Sequence, residues 1–211
     1  MGGGTAIICR ESLEPTLFNI NFPLNLGLEF SALIVGKISF QSKRILVISV
    51  YRSPDKKISK RNWLLFFNNL SILSETYHLI VCGDFNALHP AWGSSRTNPS
   101  GVILAEILTF MPFTIVNSGQ GTRISANINH TSAPDITLIS STLSNTFTWE
   151  LMEDPLGSDH MPIFLWIGLN GIYQEETAFH RPKLCLKNFN KKLFYRLIQN
   201  ELESFRLPDS C

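Results

Sequence analysis

Hydrophobic and polar positions along the chain fall into two kinds of pattern. Short, nearly continuous apolar runs, rich in β-branched and aromatic residues and bounded by turn formers, predict strands. They lie at Thr5–Cys9, Glu29–Phe40, Arg44–Tyr51, His78–Phe85, Phe113–Asn117, Asp135–Ser140, Phe147–Met152 and Met161–Ile167. Ile45-Leu46-Val47-Ile48-Ser49-Val50 and Leu79-Ile80-Val81-Cys82 hardly alternate, which predicts strands covered on both faces. Two longer stretches carry apolar residues at three- and four-residue steps. From Ser59 to Thr76, Trp63, Phe67, Leu70 and Leu73 share one helical face. A second helix opens at Asn98-Pro99-Ser100, with Asn98 as N-cap and Pro99 in the first position. Ile103, Ile107, Leu108 and Met111 form its stripe, and Pro112 ends it.

Past Leu169 the texture changes to a turn at Asn170-Gly171 and a more charged remainder, so residues 1–168 read as one domain and 169–211 as a linker leading elsewhere. With 44% hydrophobic residues the chain has material for a sizeable core. The formal net charge of +1 lends no bulk support to nucleic-acid binding, so any such case rests on a local site. Cys9, Cys82, Cys185 and Cys211 show no CxxC spacing and no zinc-like His partner, which favours buried thiols in a reducing compartment over disulfides. No apolar run reaches the roughly 18 residues of a membrane span. The start lacks a signal peptide, and Ala6 breaks the myristoylation pattern that Met1-Gly2 begins. An intracellular protein is expected.

Four strand ends carry polar groups suited to phosphate chemistry. Asp84 and Asn86 in Cys82-Gly83-Asp84-Phe85-Asn86-Ala87 are two apart, so an extended backbone points both the same way. One is an anion able to hold a cation or take a proton, the other a neutral amide able to donate to a phosphate oxygen. Gly, Asp and Asn are also ordinary turn residues. In Gly157-Ser158-Asp159-His160-Met161-Pro162-Ile163, adjacent Asp159 and His160 face opposite ways, so each needs its own partner; a metal suits Asp159 and a scissile phosphate suits His160. Asp135, just before an apolar strand, is costly there unless paired or exposed, and can orient the His160 imidazole or cap a turn. Tyr51 ends another apolar strand and either donates its hydroxyl to phosphate or lies at the rim of the core.

In this order, these motifs resemble the endonuclease/exonuclease/phosphatase superfamily, which includes deoxyribonuclease I and the apurinic/apyrimidinic endonucleases. Gly2-Gly3-Gly4-Thr5-Ala6-Ile7, Tyr51-Arg52-Ser53-Pro54, Gly83 through Ser94 (GDFNALHPAWGS), Pro134-Asp135-Ile136-Thr137-Leu138 and Ser158 through Ile163 look like the endonucleases of jockey-type retrotransposons without long terminal repeats. The HPAWGS extension is the most specific part. The likeness covers roughly Gly2 to Ile167, and Arg181-Pro182-Lys183 with Lys191-Lys192 is similar to the stretch that joins such an endonuclease to a reverse transcriptase.

The resemblance implies an α/β fold, a two-sheet, four-layer α/β sandwich of the deoxyribonuclease I-like type. It implies that Asp84 activates or positions the attacking water, Asn86 holds it or the phosphate, and Tyr51 hydrogen-bonds the phosphate. Asp159, with Asp84, would ligate Mg²⁺ or Mn²⁺, and His160, oriented by Asp135, would stabilise the growing charge. Arg52, Trp92, Arg96 and Arg123 are candidates to touch DNA, though Trp92 also suits a loop anchor. DNA and a reverse transcriptase domain are the implied partners, without a membrane, and action on DNA implies the nucleus. The family's domain opens with a strand bearing a metal-site Asn and a second bearing a Glu ligand. Both come before the glycine segment at which this chain starts, so the expected fold lacks its first strands; Glu11 and Glu14 sit in a loop-like stretch instead. Two functions follow: a metal-dependent endonuclease that nicks target DNA, or a catalytically dead remnant that binds nucleic acid or another partner. A phosphomonoesterase is a weaker third, opposed by HPAWGS.

Overall fold

The computed structural model describes residues 4–22, 26–124, 130–143 and 147–168. The chain divides into two units, Met1–Gly171 and Ile172–Cys211, and the described residues all belong to the first. The charged linker expected over 169–211, with Cys185 and Cys211, lies outside them.

Six strands form one mixed sheet: β1 (Pro15–Leu17), β2 (Glu29–Phe40), β3 (Lys43–Tyr51), β4 (His78–Asp84), β5 (Phe113–Ile115) and β6 (Asp135–Ser140), in the spatial order β1-β2-β3-β4-β6-β5. The β3–β4 pair is parallel and every other pair antiparallel. A parallel pair needs a long crossover, and α1 (Lys60–Thr76) provides it. A second, two-stranded antiparallel sheet joins β7 (Phe147–Leu151) to β8 (Ile163–Ile167). Helix α2 (Pro99–Leu108) follows β4. No helix among the described residues is long and apolar enough to cross a membrane.

Both helices start on side-chain caps: Ser59 Oγ accepts from the Asn62 amide, and Asn98 Oδ1 accepts from the Gly101 amide. Trp63, Phe66, Phe67 and Leu70 of α1 are fully buried against Leu46, Ile48 and Val50 of β3 and Leu79 and Val81 of β4, with Leu104 and Ile107 of α2 in the same core. Each such side chain contributes roughly 1.5–3 kcal/mol of burial. The alternate residues Ile45 and Ile80 face the other way, into a smaller core with Val35 that Phe147 and Leu165 of the second sheet help to cover. The near-continuous apolar runs of β3 and β4 thus have the physical cause the sequence suggested, cover on both faces. Among the described residues the layers are helices, six-stranded sheet, two-stranded sheet.

Two expectations need correcting. Thr5–Cys9 joins no ladder; Thr5 is tied to Ser31 through its hydroxyl and carbonyl, and Ile8 is 98% exposed. Conversely β1, three residues beginning with a proline, escaped notice. Its brevity and its Pro15 suit the outer edge of a sheet, where a missing amide costs little.

Candidate active site

The strand register assembles the site. Tyr51 at the end of β3 is the cross-strand neighbour of Asp84 at the end of β4, and Asp84 is the neighbour of Asp135 at the start of β6. Cross-strand neighbours share a face, so the three form one polar row. Alternation puts that row on the face away from α1, since Val50, Val81 and Ile136 lie on the helical side. Near the end of β4, Gly83 has φ +145°, and a Cβ there would stand 1.9 Å from the Val50 carbonyl oxygen. Only glycine permits this approach of strand to strand.

His160 reaches the row from a different direction. Arg123 bridges to both Ser132 and His160, and the Met161 amide donates to the Thr122 carbonyl at 2.7 Å. This brings His160 Nδ1 to 2.8 Å from Asp135 Oδ2. The orienting pair read from the sequence is therefore present. Thr122, fully buried, donates its hydroxyl to the same Asp135 oxygen at 2.5 Å and accepts from the Asp135 amide at 3.2 Å. Asn117 donates to the Asp135 carbonyl and accepts from the Thr137 amide. Neither residue was singled out beforehand; Asn117 ends a predicted strand and Thr122 lies in the loop after it, and only the folded chain brings them to Asp135.

Asn86 departs from its expected pose. Its φ is +48°, so it is not extended. It folds back on Asp84 instead, its amide donating to Asp84 Oδ1 at 2.8 Å and its Nδ2 to Asp84 Oδ2 at 2.9 Å. The second Nδ2 hydrogen goes to the Arg52 carbonyl at 2.8 Å. A side-chain amide has two hydrogens, and in this structure both are used within the protein, one of them as a hold on Asp84.

Two of the four residues expected to touch DNA are interior instead. Arg52 is 4% exposed, with its guanidinium donating to the carbonyls of Phe85 and Asn86, both at 2.6 Å, and Lys56 at 2.7 Å. Burial lowers its pKa, opposed by the charge of Asp84. Trp92 is fully buried and donates its indole N–H to the Ala87 carbonyl at 2.9 Å, which makes it the anchor of the loop after β4. Arg96 is exposed, against the His130 imidazole. Arg123 is exposed as well and forms an ion pair with Asp159 at 2.8 Å. That pair holds the Asp159 carboxyl below the usual carboxylate range, through the Arg123 hydrogen bond first.

Asp84, Asp135 and His160 offer ligand atoms that all lie within 4.8 Å of one another. Burial raises the pKa of Asp84 above its ordinary value; the Asn86 amide opposes this, and the facing charge of Asp135 adds to it. Two opposed carboxylates, one of them desolvated, are the setting a divalent cation relieves, and oxygen donors suit a hard ion. The donor set fits. Asp159, foreseen as a ligand, stands outside this cluster on Arg123, because the chain turns His160 inward and leaves Asp159 facing solvent.

The chain is 28% identical over 201 residues to the probable RNA-directed DNA polymerase from transposon BS of Drosophila melanogaster, covering 94% of this chain and 20% of that one. It is 27% identical over 169 residues to the RNA-directed DNA polymerase from mobile element jockey of the same species, covering 76% of this chain and 16% of that one. The chain thus spans about a fifth of the length of these relatives. Among solved structures it is similar to the endonuclease domain of TRAS1, a telomere-specific non-LTR retrotransposon, with a TM-score of 0.52 and 22% identity over 66% of this chain and 62% of that one. That likeness carries the deoxyribonuclease I-like fold. Residues 45–164, from near the start of β3 into β8 and so across the whole polar row, match the endonuclease-reverse transcriptase family, and the chain belongs to it.

Proposed function

We infer that this chain is a metal-dependent endonuclease domain that nicks DNA by hydrolysing one phosphodiester, and that in its element it works with a reverse transcriptase. The observation that carries the reading is the row of Tyr51, Asp84 and Asp135 across three strands with His160 closing on Asp135. On this reading Asp84, its affinity for a proton raised by burial, takes the proton of the attacking water as the new P–O bond forms. Asn86 keeps both Asp84 oxygens aimed. Tyr51 donates to a phosphate oxygen. His160, with Nδ1 on Asp135, presents Nε2 to the phosphate as negative charge grows, and the Asp135 carboxylate offsets the imidazolium. The Asp84 and Asp135 carboxylates would hold Mg²⁺ or Mn²⁺, whose chemistry is to neutralise the phosphate and the 3′-oxygen that departs. Exposed Arg96 and Arg123 would meet the DNA backbone. Action on chromosomal DNA implies work in the nucleus.

One observation favours a second reading, a non-catalytic module that binds nucleic acid. Among the described residues the cluster holds two aspartates and a histidine and no glutamate.

Nicking of supercoiled plasmid in Mg²⁺ separates the two. The endonuclease reading expects nicking that chelation stops and that Asp84→Asn or His160→Ala lowers by about 100-fold or more. DNA binding by the intact chain without nicking, or nicking indifferent to both substitutions, overturns it.

A further inference from the structure

We propose that Asn98, the N-cap of α2, and buried Arg52 are positioning residues that together clamp the Asn86 carbonyl and so fix the turn that aims Asp84; this rests on the endonuclease reading for its catalytic consequence. Asn98 does three things with one side chain. Its Oδ1 accepts from the Gly101 amide at 2.8 Å, capping the helix, and from the Leu88 amide at 3.1 Å. Its Nδ2 donates to the Asn86 carbonyl at 2.8 Å. Arg52 Nη2 donates to that same carbonyl at 2.6 Å from the other side.

The clamp meets a real demand. Asn86 sits at φ +48°, a left-handed conformation that asparagine tolerates better than most L residues yet still adopts at some cost. Left alone, the residue relaxes to φ below zero and swings its amide away from Asp84. Two donors on one carbonyl oppose that rotation. The arrangement closes on itself: Arg52 donates to Asn86, Asn86 Nδ2 donates to the Arg52 carbonyl, and the Arg52 amide donates to the Asp84 carbonyl at 2.9 Å. The start of α2 lies against the loop, since a Cβ at Gly101 would stand 1.9 Å from the Leu88 carbonyl oxygen. The helix therefore gives the clamp a rigid base, and Asn98 transmits that rigidity to Asp84, which lies far off in sequence but two hydrogen bonds away.

Two substitutions isolate the clamp from the cap. Asn98→Asp keeps the acceptor for Gly101 and Leu88 and removes the donor to Asn86. Asn98→Ser keeps a good N-cap, adds no charge and does not reach Asn86. In the full chain both are expected to lower kcat for plasmid nicking by about 10-fold or more with KM little changed, the pattern of lost aim rather than lost DNA binding. Combining either with Arg52→Lys is expected to cost less than the product of the single effects, because both act on one carbonyl. Hydrogen exchange at the Asn86 amide, which is bonded to Asp84 Oδ1, reads the clamp without any activity: exchange should quicken about 10-fold in both variants while the amides of β6 hold their rates. Unchanged exchange at Asn86, or equal loss of protection throughout β6, overturns the clamp. Quickened exchange in a chain that never nicks DNA upholds the clamp and sinks the endonuclease reading alone.

Discussion

A carboxylate that the fold holds uncomfortably tells more than one it holds easily. Burial raises the pKa of Asp84 above its ordinary value of 3.8, so the folded state binds a proton there more readily than the unfolded state does. Stability from this residue is greatest below that ordinary value and declines as pH rises through the folded pKa. Asp84→Asn removes the charge, and thermal melts without divalent cation are expected to find it more stable than the parent at pH 7, with the gap closing as pH falls towards 4. A variant less stable than the parent at neutral pH would show that the hydrogen bonds from Asn86 outweigh desolvation. Tyr51, Asp84, Asp135 and His160 were singled out in the sequence as polar groups flanking apolar runs, and the structure brings these four together. Arg52 and Trp92 were not legible as interior residues. What decides their exposure is whether carbonyls of a distant loop come within reach, as those of Phe85 and Asn86 do for Arg52. The pose of Asn86 was missed for a related reason, since two-residue spacing implies a shared face only while the backbone stays extended.

At the scale of elements, the two helices and seven of the eight described strands announced themselves through apolar runs, period and caps, and their bounds fell within a few residues. The failures were the strand with least pattern, β1, and the apolar run Thr5–Cys9, whose residues find no ladder to join. Apolar content is necessary for a strand, but pairing decides. The β3–β4 junction sets the tightest local demand. Gly83→Ala places a methyl group against the Val50 carbonyl oxygen and strains a φ of +145°, so a loss of about 3 kcal/mol or more is expected in denaturant titration. A loss under about 1 kcal/mol would mean that the strands separate readily at this end. The helix caps weigh less. Ser59→Ala should cost about 1 kcal/mol, read in the same titration.

Over the whole molecule, the site sits on the sheet face that the second sheet partly covers. Besides the packing of Phe147 and Leu165, a hydrogen bond ties the sheets: Trp149 of β7 donates its indole N–H to Thr137 Oγ of β6 at 3.2 Å. Trp149→Phe should lose only that hydrogen bond, about 1 kcal/mol. Trp149→Ala should cost about 3–5 kcal/mol and loosen β7–β8 ahead of the six-stranded sheet, seen as early exchange of the β7 amides. Melting of both sheets together would show that they form one cooperative unit. How the sheets pair was open in the sequence, because period gives the faces of a strand and not its partners.

The polar row has a consequence for how the chain can vary. Tyr51, Asp84 and Asp135 come together only because three strands stand in one register. Remove a single residue from β4 and alternation turns Asp84 toward Trp63 and Phe67, an unpaired charge in the driest part of the core. The wrong register therefore cannot persist quietly as a well-folded but idle protein. Length changes within β4 are read out by folding itself, before any assay of the site.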